Sequence, residues 1–287
     1  PQACPEDLTH PRHQTWLDLW DKPGGDEHFC PLIPRKGSPM TSQHAFQQVD
    51  VFSAEPLKGN PLAVVCDADD LTDEQMAAFA NWTNLSETTF LLKPTSPDAD
   101  YRVRIFTPYE ELPFAGHPTL GTCHVWLSRQ QGTDKAEVVQ ECAFGLVRIR
   151  VSDGKLAFAA PPLRKSGAVD AETLSEVAVA LELSPDAIVN ASWTDNGPGW
   201  VSLLLRSRSD VLNIKPNYQR LGGLKVGIVG PCDANDNVDS DFELRAFADG
   251  YEDPVTGSLN AGIAQWLIGA GIAPQNYIAS QGTVLGR

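Results

Sequence analysis

The chain has 287 residues, of which 42% are hydrophobic and 21% are charged, a composition typical of a globular protein large enough for two domains. The formal net charge is -15. No cluster of Lys and Arg interrupts this acidic average, which disfavours nucleic-acid binding, because proteins of that class concentrate basic residues. No apolar run reaches the length of a membrane span, and the chain opens at Pro1 without a basic-led apolar segment. We therefore expect neither a membrane segment nor a secretory signal.

The cysteines are widely scattered and form no C-x-x-C pair. In a chain of this length such spacing indicates reduced, buried thiols rather than a disulfide framework, so we expect a cytoplasmic protein. The six positions are Cys4, Cys30, Cys66, Cys123, Cys142 and Cys232.

The N-terminal 39 residues differ from the rest, because they are rich in proline and show no sustained hydrophobic period. We interpret residues 1–39 as an extension outside the main fold, either native or added by cloning. Regular patterning starts at Ala45, shortly after Met40.

The first predicted elements are two strands and a helix. The strands "AFQQVDVF" and "LAVVC" flank "KGNP", which we read as a Gly-Asn turn. The helix begins near "LTDEQMAAFA", where Thr72 and Gln75 have the spacing of a capping box. The segment "YRVRIF" then alternates strictly, as expected of a half-buried strand.

A second helix is predicted at "GHPTLGTCHVWL", with Pro118 in a favourable first-turn position. Its expected buried face consists of Leu120, Cys123, His124 and Leu127. The following segment, "VVQECAFGLVRIRVSDGKLAFAA", predicts strands joined in part by a hairpin turn at Asp153-Gly154.

Pro161-Pro162 punctuates the middle of the chain, and we place a domain boundary there, giving domains 40–160 and 161–287. The second half opens with a helix capped by Asp170 and continues with strands at "WVSLLL", "KVGIV" and "FELRAFA". It closes on a long buried helix in "EDPVTGSLNAGIAQWLIGAG", ended by glycine. The apolar positions of that helix are Ile263, Ala264, Leu267 and Ile268.

Each half therefore has several strands followed by a polar, glycine-containing turn that leads directly into an apolar helix. Such a helix start presents unpaired N–H groups and a partial positive charge, and Gly116, Gly257 and Ser258 would let a ligand approach that backbone. If the two halves face each other, a small carboxylate or a developing oxyanion would fit between the turns. The alternative is that these glycines and prolines only cap helices.

Three titratable side chains are candidates for the chemistry. His117, at the first helix start, would be held neutral by the helix dipole or would serve as an N-cap. Asp253 would cap the second helix or point into the cleft. Glu87 precedes an apolar run, where it is either a solvated strand-edge residue or a buried acid/base with a raised pKa.

Other catalytic signatures are absent from the sequence. There is no H-E-x-x-H pattern, so we expect no metal site. There is also no G-x-S-x-G elbow, P-loop or G-x-G-x-x-G fingerprint, and nothing indicates a nucleotide, flavin or pyridoxal cofactor.

Several long segments, in matching order, resemble the signature blocks of the phenazine-biosynthesis PhzF-like family. They are "VDVFSAEPLKGNPLAVV", "DEQMAAFANWTNLSETTFLL", "FTPYEELPFAGHPTLGT" and "EDPVTGSLNAG". The resemblance runs from about Phe46 to the C-terminus and excludes residues 1–39.

This resemblance implies the diaminopimelate-epimerase-like α+β fold, with two similar domains. Each domain is a curved, mostly antiparallel sheet wrapped around a central helix, and the active site lies in the cleft between domains. The resemblance also implies site residues. The acid/base falls on Glu87, with His117 and Asp253 as its catalytic neighbours, and Gly116, Gly257 and Ser258 lie in the substrate-binding turns.

The implied reaction is a cofactor-independent proton shift on a small carboxylate, carried out by a homodimer. The epimerases of the superfamily use a cysteine at each helix start. Neither turn here contains one, which favours a single general acid/base over a two-thiol mechanism. The alternatives are a non-catalytic protein that binds a small carboxylate or a protein partner, and a hydrolase or lyase on the same fold.

Overall fold

The structure is a computed structural model that describes residues 43–53, 55–130, 135–248 and 250–287. The predicted extension, together with Cys4 and Cys30, lies outside these residues. In the part of the chain that is described, no helix has both the length and the apolarity needed to cross a membrane.

The first half forms one sheet and two helices. Helix α1 spans Asp73–Thr83 and helix α2 spans Gly116–Arg129. The strands follow the order β1-β2-β3-β4-β6-β7-β8, with β5 paired to β4. Their bounds are Phe46–Val51 (β1), Asn60–Val65 (β2), Thr88–Leu92 (β3), Tyr101–Phe106 (β4), Glu111–Leu112 (β5), Glu137–Cys142 (β6), Gly145–Ser152 (β7) and Lys155–Phe158 (β8).

The first sheet curls around α2, which contacts β1, β2, β3, β4, β6 and β8. The close fit depends on Gly121, because a Cβ there would lie 2.6 Å from Leu62 and 2.9 Å from Val51. Helix α1 covers the opposite face of β3 and β4. Since β3 is covered on both faces, all of its residues are buried and its sequence is continuously apolar or small rather than alternating.

The second half repeats this arrangement around α6, which spans Gly257–Gly269. Its strands follow the order β14-β13-β12-β11-β10-β9, and β15 pairs with β13. Their bounds are Lys165–Gly167 (β9), Ile188–Asp195 (β10), Trp200–Leu205 (β11), Lys225–Pro231 (β12), Phe242–Ala248 (β13), Tyr251–Asp253 (β14) and Ala279–Gln281 (β15). The outer helices are Ala171–Ala180 (α3), Arg208–Leu212 (α4) and Tyr218–Leu221 (α5).

Helix α6 packs on β10 and β11. It does so through an interior glycine, Gly262, which corresponds to Gly121 of α2. Gly262 lies five residues after the first residue of α6, as Gly121 does in α2, and a Cβ on it would lie 2.3 Å from the Thr194 carbonyl oxygen. Leu259, Ile263 and Leu267 of this helix are fully buried in the core on that side of the sheet. Each half thus places one buried helix against its sheet through an interior glycine.

Most neighbouring strands in both sheets are antiparallel, with parallel pairs at β2–β3, β4–β6, β11–β12 and β13–β15. The expected fold class, α+β with two curled sheets that each enclose a helix, is confirmed. The boundary at Pro161-Pro162 stays a prediction, and it falls between β8 in the first sheet and β9 in the second.

Local sequence signals correctly predicted where several helices and strands begin or end. Thr72 and Gln75 form the predicted capping box at the start of α1, and Asp170 caps α3 by accepting a hydrogen bond from the Thr173 N–H. Asp153 and Gly154 both have positive φ in the turn between β7 and β8, as a two-residue hairpin requires.

Two local predictions were wrong. His124 is exposed, and the buried face of α2 includes Thr122 and Val125 instead, because the curled sheet reaches further around the helix than a single stripe. The "KGNP" segment is not the turn itself. Asn60 and Pro61 already belong to β2, and the connection from β1 is the longer segment that precedes them.

Candidate active site

The two buried helices begin next to each other. A Cβ built on Gly257, the first residue of α6, would lie 4.0 Å from the Cα of Gly116, the first residue of α2. Neither helix has a side-chain hydrogen bond from its N-cap, Ala115 in one case and Thr256 in the other. Two helix N-termini, each with first-turn N–H groups and a partial positive charge, therefore meet at one place.

The fold itself does not require glycine at these two starts. Neither Gly116 nor Gly257 has the positive φ that favours glycine. A Cβ on Gly116 would lie 3.4 Å from the nearest atom, on Phe158, and one on Gly257 would lie 3.7 Å from Phe52, both ordinary contact distances. The absence of side chains at these positions leaves the first-turn N–H groups of both helices open to a ligand.

Glu87 immediately precedes β3, and its side chain is 17% exposed. Its Oε2 lies 3.3 Å from Nε2 of His117, in the first turn of α2. Neither atom has a hydrogen-bond partner among the described residues, although both are buried. Because buried polar atoms are nearly always paired, two unpaired atoms facing each other mark a place where a ligand atom would complete the bonding.

Burial shifts the pKa values of both side chains towards their neutral forms. The pKa of Glu87 is raised to about 7 by desolvation, with a smaller increase from the charge of Asp253, while a hydrogen bond from Ser86 opposes the rise. Desolvation lowers the pKa of His117 to about 3. The Glu87–His117 contact is therefore not an ion pair at neutral pH, and Glu87 can both hold and release a proton there.

Asp253 lies beside the second helix start and organises the turn that leads into it. Its carboxylate accepts a hydrogen bond from the Val255 N–H at 3.1 Å and another from the Thr256 hydroxyl at 2.7 Å. Burial raises the pKa of Asp253, and those two hydrogen bonds oppose the rise. Asp253 thus shapes the turn, and it also lies close enough to Glu87 to influence its titration.

Asn60 ties the two halves together next to the acid/base. Its side-chain amide donates to the Val255 carbonyl oxygen at 3.2 Å, and its side-chain oxygen accepts from the Ser86 hydroxyl at 3.3 Å. Ser86 precedes Glu87, so one buried side chain links the Glu87 segment to the second turn. The sequence prediction missed Asn60, and the available signal was an amide residue at the entry of an otherwise apolar strand.

Gln281 of β15 supports the same turn from the other side. Its side-chain nitrogen donates to the Asp253 carbonyl at 2.8 Å and to the Thr256 hydroxyl at 2.9 Å. Its side-chain oxygen accepts from the Thr256 N–H at 3.2 Å and from Asn260 at 2.7 Å. No local pattern in the sequence points to Gln281, because these partners lie more than twenty positions away.

A cleft of about 1060 Å³ borders the two helix starts, and its walls include Gly116, Thr256 and Gly257. Glu87, His117 and Asp253 do not line it. The size of the cleft alone therefore does not locate Glu87. Its carboxyl is identified instead by its burial and by the unpaired atoms Glu87 Oε2 and His117 Nε2. Among the predicted site residues, the structure places Gly116 beside Gly257 and Glu87 beside His117 and Asp253.

Comparison with known proteins identifies the family. The family model described as "Phenazine biosynthesis-like protein" matches residues 49–287. The chain belongs to the phenazine biosynthesis-like family. The resemblance seen in the sequence motifs is therefore confirmed.

Relatives of this family member include named isomerases. The chain is 34% identical over 237 residues to a trans-2,3-dihydro-3-hydroxyanthranilate isomerase of Pseudomonas aeruginosa, with 77% of this chain and 78% of the relative covered. It is 36% identical over 273 residues to "Antisense-enhancing sequence 1" of Schizosaccharomyces pombe, covering 86% and 88%. A phenazine biosynthesis PhzF family structure from Enterococcus faecalis matches with a TM-score of 0.68 and 26% identity, covering 83% of this chain and 86% of that one. The relatives named as isomerases confirm the expected enzyme class, an isomerase.

The cysteines that the structure describes in this phenazine biosynthesis-like protein lie away from the helix starts. Cys123 is buried in the interior of α2, and desolvation raises the pKa of its thiol to about 12, which keeps it protonated and unreactive. The described cysteines, Cys66, Cys123, Cys142 and Cys232, are all free. Among the residues that the structure describes, no group of three or more His, Cys, Asp or Glu side chains is arranged to hold a metal ion.

Proposed function

We propose that this family member is a cofactor-independent isomerase that moves a proton between two carbons of a small, carboxylate-bearing substrate, with Glu87 as its general acid/base. The observation that carries the proposal is the position of Glu87, whose buried Oε2 is unpaired and faces His117, close to two uncapped helix N-termini. The relatives named as isomerases support the reaction class.

The proposed reaction uses both protonation states of one carboxyl. Ionised Glu87 takes a proton from a carbon next to an activating group, and negative charge develops on the substrate oxygens. Protonated Glu87 then returns that proton to another carbon, so no net oxidation or reduction occurs and no co-reactant is consumed. A pKa near 7 suits this sequence, because the base and the acid form are nearly equal in energy at neutral pH.

The first-turn N–H groups of α2 and α6 are the proposed donors to the substrate carboxylate and to the developing charge. Gly116 and Gly257 allow the close approach that such donors need. General acid–base catalysis contributes ~10²–10⁴ to a rate, and preorganised donors of this kind contribute roughly 10²–10³. Together these factors suit the isomerisation of an already activated C–H bond.

His117 and Asp253 have supporting roles in this proposal. Neutral His117 lies 3.3 Å from the Glu87 carboxyl and forms a hydrogen bond to it when the substrate is bound. Asp253 maintains the second turn and helps to keep the pKa of Glu87 high through its charge.

The proposal is tested by proton exchange in D₂O. The first compound is trans-2,3-dihydro-3-hydroxyanthranilate, which the name of the Pseudomonas relative suggests, and it heads a panel of cyclic unsaturated amino acids. Wild-type protein should incorporate deuterium at a ring carbon, as followed by NMR, and Glu87→Gln should not. Glu176→Gln, which changes an exposed carboxylate on α3, serves as the matched control and should behave as wild type.

Two results would contradict the proposal. Exchange at the wild-type rate in a folded Glu87→Gln protein would remove Glu87 as the acid/base. Tight binding of carboxylates by the wild type without any exchange would instead support the alternative, a carboxylate-binding protein that keeps the fold and lacks the chemistry.

A further inference from the structure

Asn60 lies between the segment that carries Glu87 and the turn that leads into α6. The residue is only 7% exposed. Its side-chain nitrogen lies 3.2 Å from the Val255 carbonyl oxygen, and its side-chain oxygen lies 3.3 Å from the hydroxyl of Ser86. Because Ser86 is the residue before Glu87, one buried amide contacts both halves of the molecule beside the proposed acid/base.

The Val255 carbonyl decides which way the Asn60 amide faces. A carbonyl oxygen only accepts hydrogen bonds, so the NH₂ group of Asn60 must point to it. The Asn60 oxygen is then turned towards Ser86, and because this oxygen can only accept, the Ser86 hydroxyl is the donor. Donation to Val255 also polarises the amide and makes its oxygen a better acceptor. The chemistry of the groups therefore fixes the direction of both hydrogen bonds.

The Ser86 hydroxyl has a second acceptor in the Glu87 carboxyl. A hydrogen bond from Ser86 lowers the pKa of Glu87, against the larger effect of burial. A hydroxyl carries a single proton, so Ser86 cannot donate fully to Asn60 and to Glu87 at the same time. An ionised carboxylate is the stronger acceptor, because charge-assisted hydrogen bonds are roughly twice as strong as neutral ones. Which acceptor receives the proton therefore depends on the charge of Glu87.

We propose that Asn60 is a positioning residue that competes with the Glu87 carboxylate for the single hydroxyl proton of Ser86. Ser86 donates to Asn60 while Glu87 is protonated and to Glu87 while it is ionised. The change of partner needs only a rotation of the hydroxyl, so it requires no movement of the backbone. This inference rests on the proposed function and deepens it, because it assigns a residue that sets how readily the acid/base ionises.

Two substitutions remove the two partners separately. Ser86→Ala deletes the shared proton, and Asn60→Leu replaces the amide with an apolar side chain of similar size that accepts no hydrogen bond. Asn60→Ala is a smaller second variant, used if the leucine protein does not fold. Asn81→Leu is the matched control, because Asn81 also donates to a backbone carbonyl, that of Pro108 at 2.9 Å, but lies exposed on α1.

The titration of Glu87 is followed by NMR in protein labelled with ¹³C at the glutamate side-chain carboxyl, and its signal is assigned by its absence in Glu87→Gln. Ser86→Ala should raise the pKa of Glu87 by roughly 0.5 to 1 pH unit, the effect of one lost hydrogen bond. Asn60→Leu should lower this pKa by roughly half a pH unit, since Ser86 then donates to Glu87 alone. Ser86 is exposed, and competition from water keeps both changes moderate. Asn81→Leu should leave the pKa unchanged.

The double variant separates competition for the proton from a general structural role of Asn60. In the Ser86→Ala background, Asn60→Leu should change the pKa of Glu87 by no more than about 0.2 pH unit, because no shared proton remains. Two other titratable side chains face Glu87, His117 from α2 and Asp253 from β14, and both are kept in every variant. If Asn60→Leu raises the pKa, or lowers it equally with and without Ser86, the inference is overturned.

The titration is measured without substrate, so its result is independent of turnover. If wild type shows no proton exchange on any compound while the pKa values follow the expected cycle, the proposed function fails and the role of Asn60 stands. If wild type is active but neither single variant changes the pKa of Glu87, the inference fails and the proposed function stands. In active protein, the pH profile of the exchange rate should move in the same direction as the titration, and a profile that stays in place in both variants contradicts the inference.

Discussion

Replacing Glu87 with Gln should stabilise the protein above neutral pH while abolishing most of its activity. Gln has nearly the same shape as a protonated carboxyl and carries no charge at any pH. In the folded protein, ionised Glu87 is buried near the Asp253 carboxylate, an environment that favours the neutral side chain. The variant therefore removes the destabilising effect of ionisation together with the proposed acid/base.

The size of the effect follows from the pKa. Desolvation raises the pKa of Glu87 from 4.5 to about 7, so the folded state binds a proton that the unfolded chain has already released between these values. Stability contributed by the neutral carboxyl is fully present below pH 4.5 and is lost as the pH rises to about 7. At ~1.36 kcal/mol per tenfold change, the loss reaches about 3 kcal/mol above neutral pH and about 1 kcal/mol near pH 5.5.

Urea unfolding of wild type and Glu87→Gln at pH 5.5 and pH 8.5 measures this difference, and both values avoid the sequence pI near 4.7. The variant should be more stable by about 1 kcal/mol at the lower pH and by about 3 kcal/mol at the higher one. Glu176→Gln, at an exposed position on α3, should stay within about 0.5 kcal/mol of wild type at both.

A stability difference between wild type and Glu87→Gln that does not change with pH would refute the reasoning. It would mean that Glu87 titrates alike in the folded and unfolded chains, which contradicts a buried acid/base. Loss of turnover without the pH-dependent gain in stability would leave Glu87 as a binding group rather than a proton carrier with a raised pKa.

Three further predictions test the helix starts, the histidine and the assembly. Gly257→Ala should change stability by no more than about 1 kcal/mol and should weaken carboxylate binding in a titration, whereas Gly262→Ala should lose stability because its Cβ would lie 2.3 Å from the Thr194 carbonyl. The pKa of His117 is lowered, so this side chain should cost wild type about 1 kcal/mol of stability as the pH falls from 6.5 to 5.5, which offsets the gain from Glu87 over the same range. Urea unfolding should therefore show His117→Asn gaining about 1 kcal/mol relative to wild type over that range. Light scattering at micromolar concentration should show a homodimer, and a monomer alone would argue against that expectation.

The sequence predicted well what depends on neighbouring residues. The Thr72–Gln75 capping box, the Asp153-Gly154 hairpin and the Asp170 cap each involve groups within a few positions of one another, and each is present. Short-range geometry of this kind is set by a few torsion angles and one or two hydrogen bonds. Tertiary packing has little room to override it.

Contacts between distant parts of the chain could not be predicted in this way. Asn60 contacts Val255 across 195 positions, and Trp200 reaches Ser258 across 58. Local pattern shows neither, since a polar residue in an apolar strand looks the same whether it faces solvent or a partner. The same limit explains the wrong placement of His124, because the extent of the curled sheet around α2 is a tertiary property.

Glu87 lies between these two cases. Its position before an apolar strand left open whether the carboxyl is solvated, and only the resemblance to a family implied that it is the acid/base. The structure supplies the physical information that distinguishes the two interpretations, namely a side chain that is 17% exposed and a raised pKa. Its catalytic role stays a prediction.

The meeting of two helix N-termini also has a mechanical consequence for the two halves of the molecule. Each terminus carries about half a positive charge, so without an anion the two ends repel each other, by an energy on the order of 1 kcal/mol across roughly 4 Å. An ionised ligand between them reverses the sign of the force and draws both halves inward, whereas an uncharged ligand of the same shape leaves the repulsion in place. We therefore expect the spacing between the halves to respond to ligand charge and to weaken in its response as salt is added.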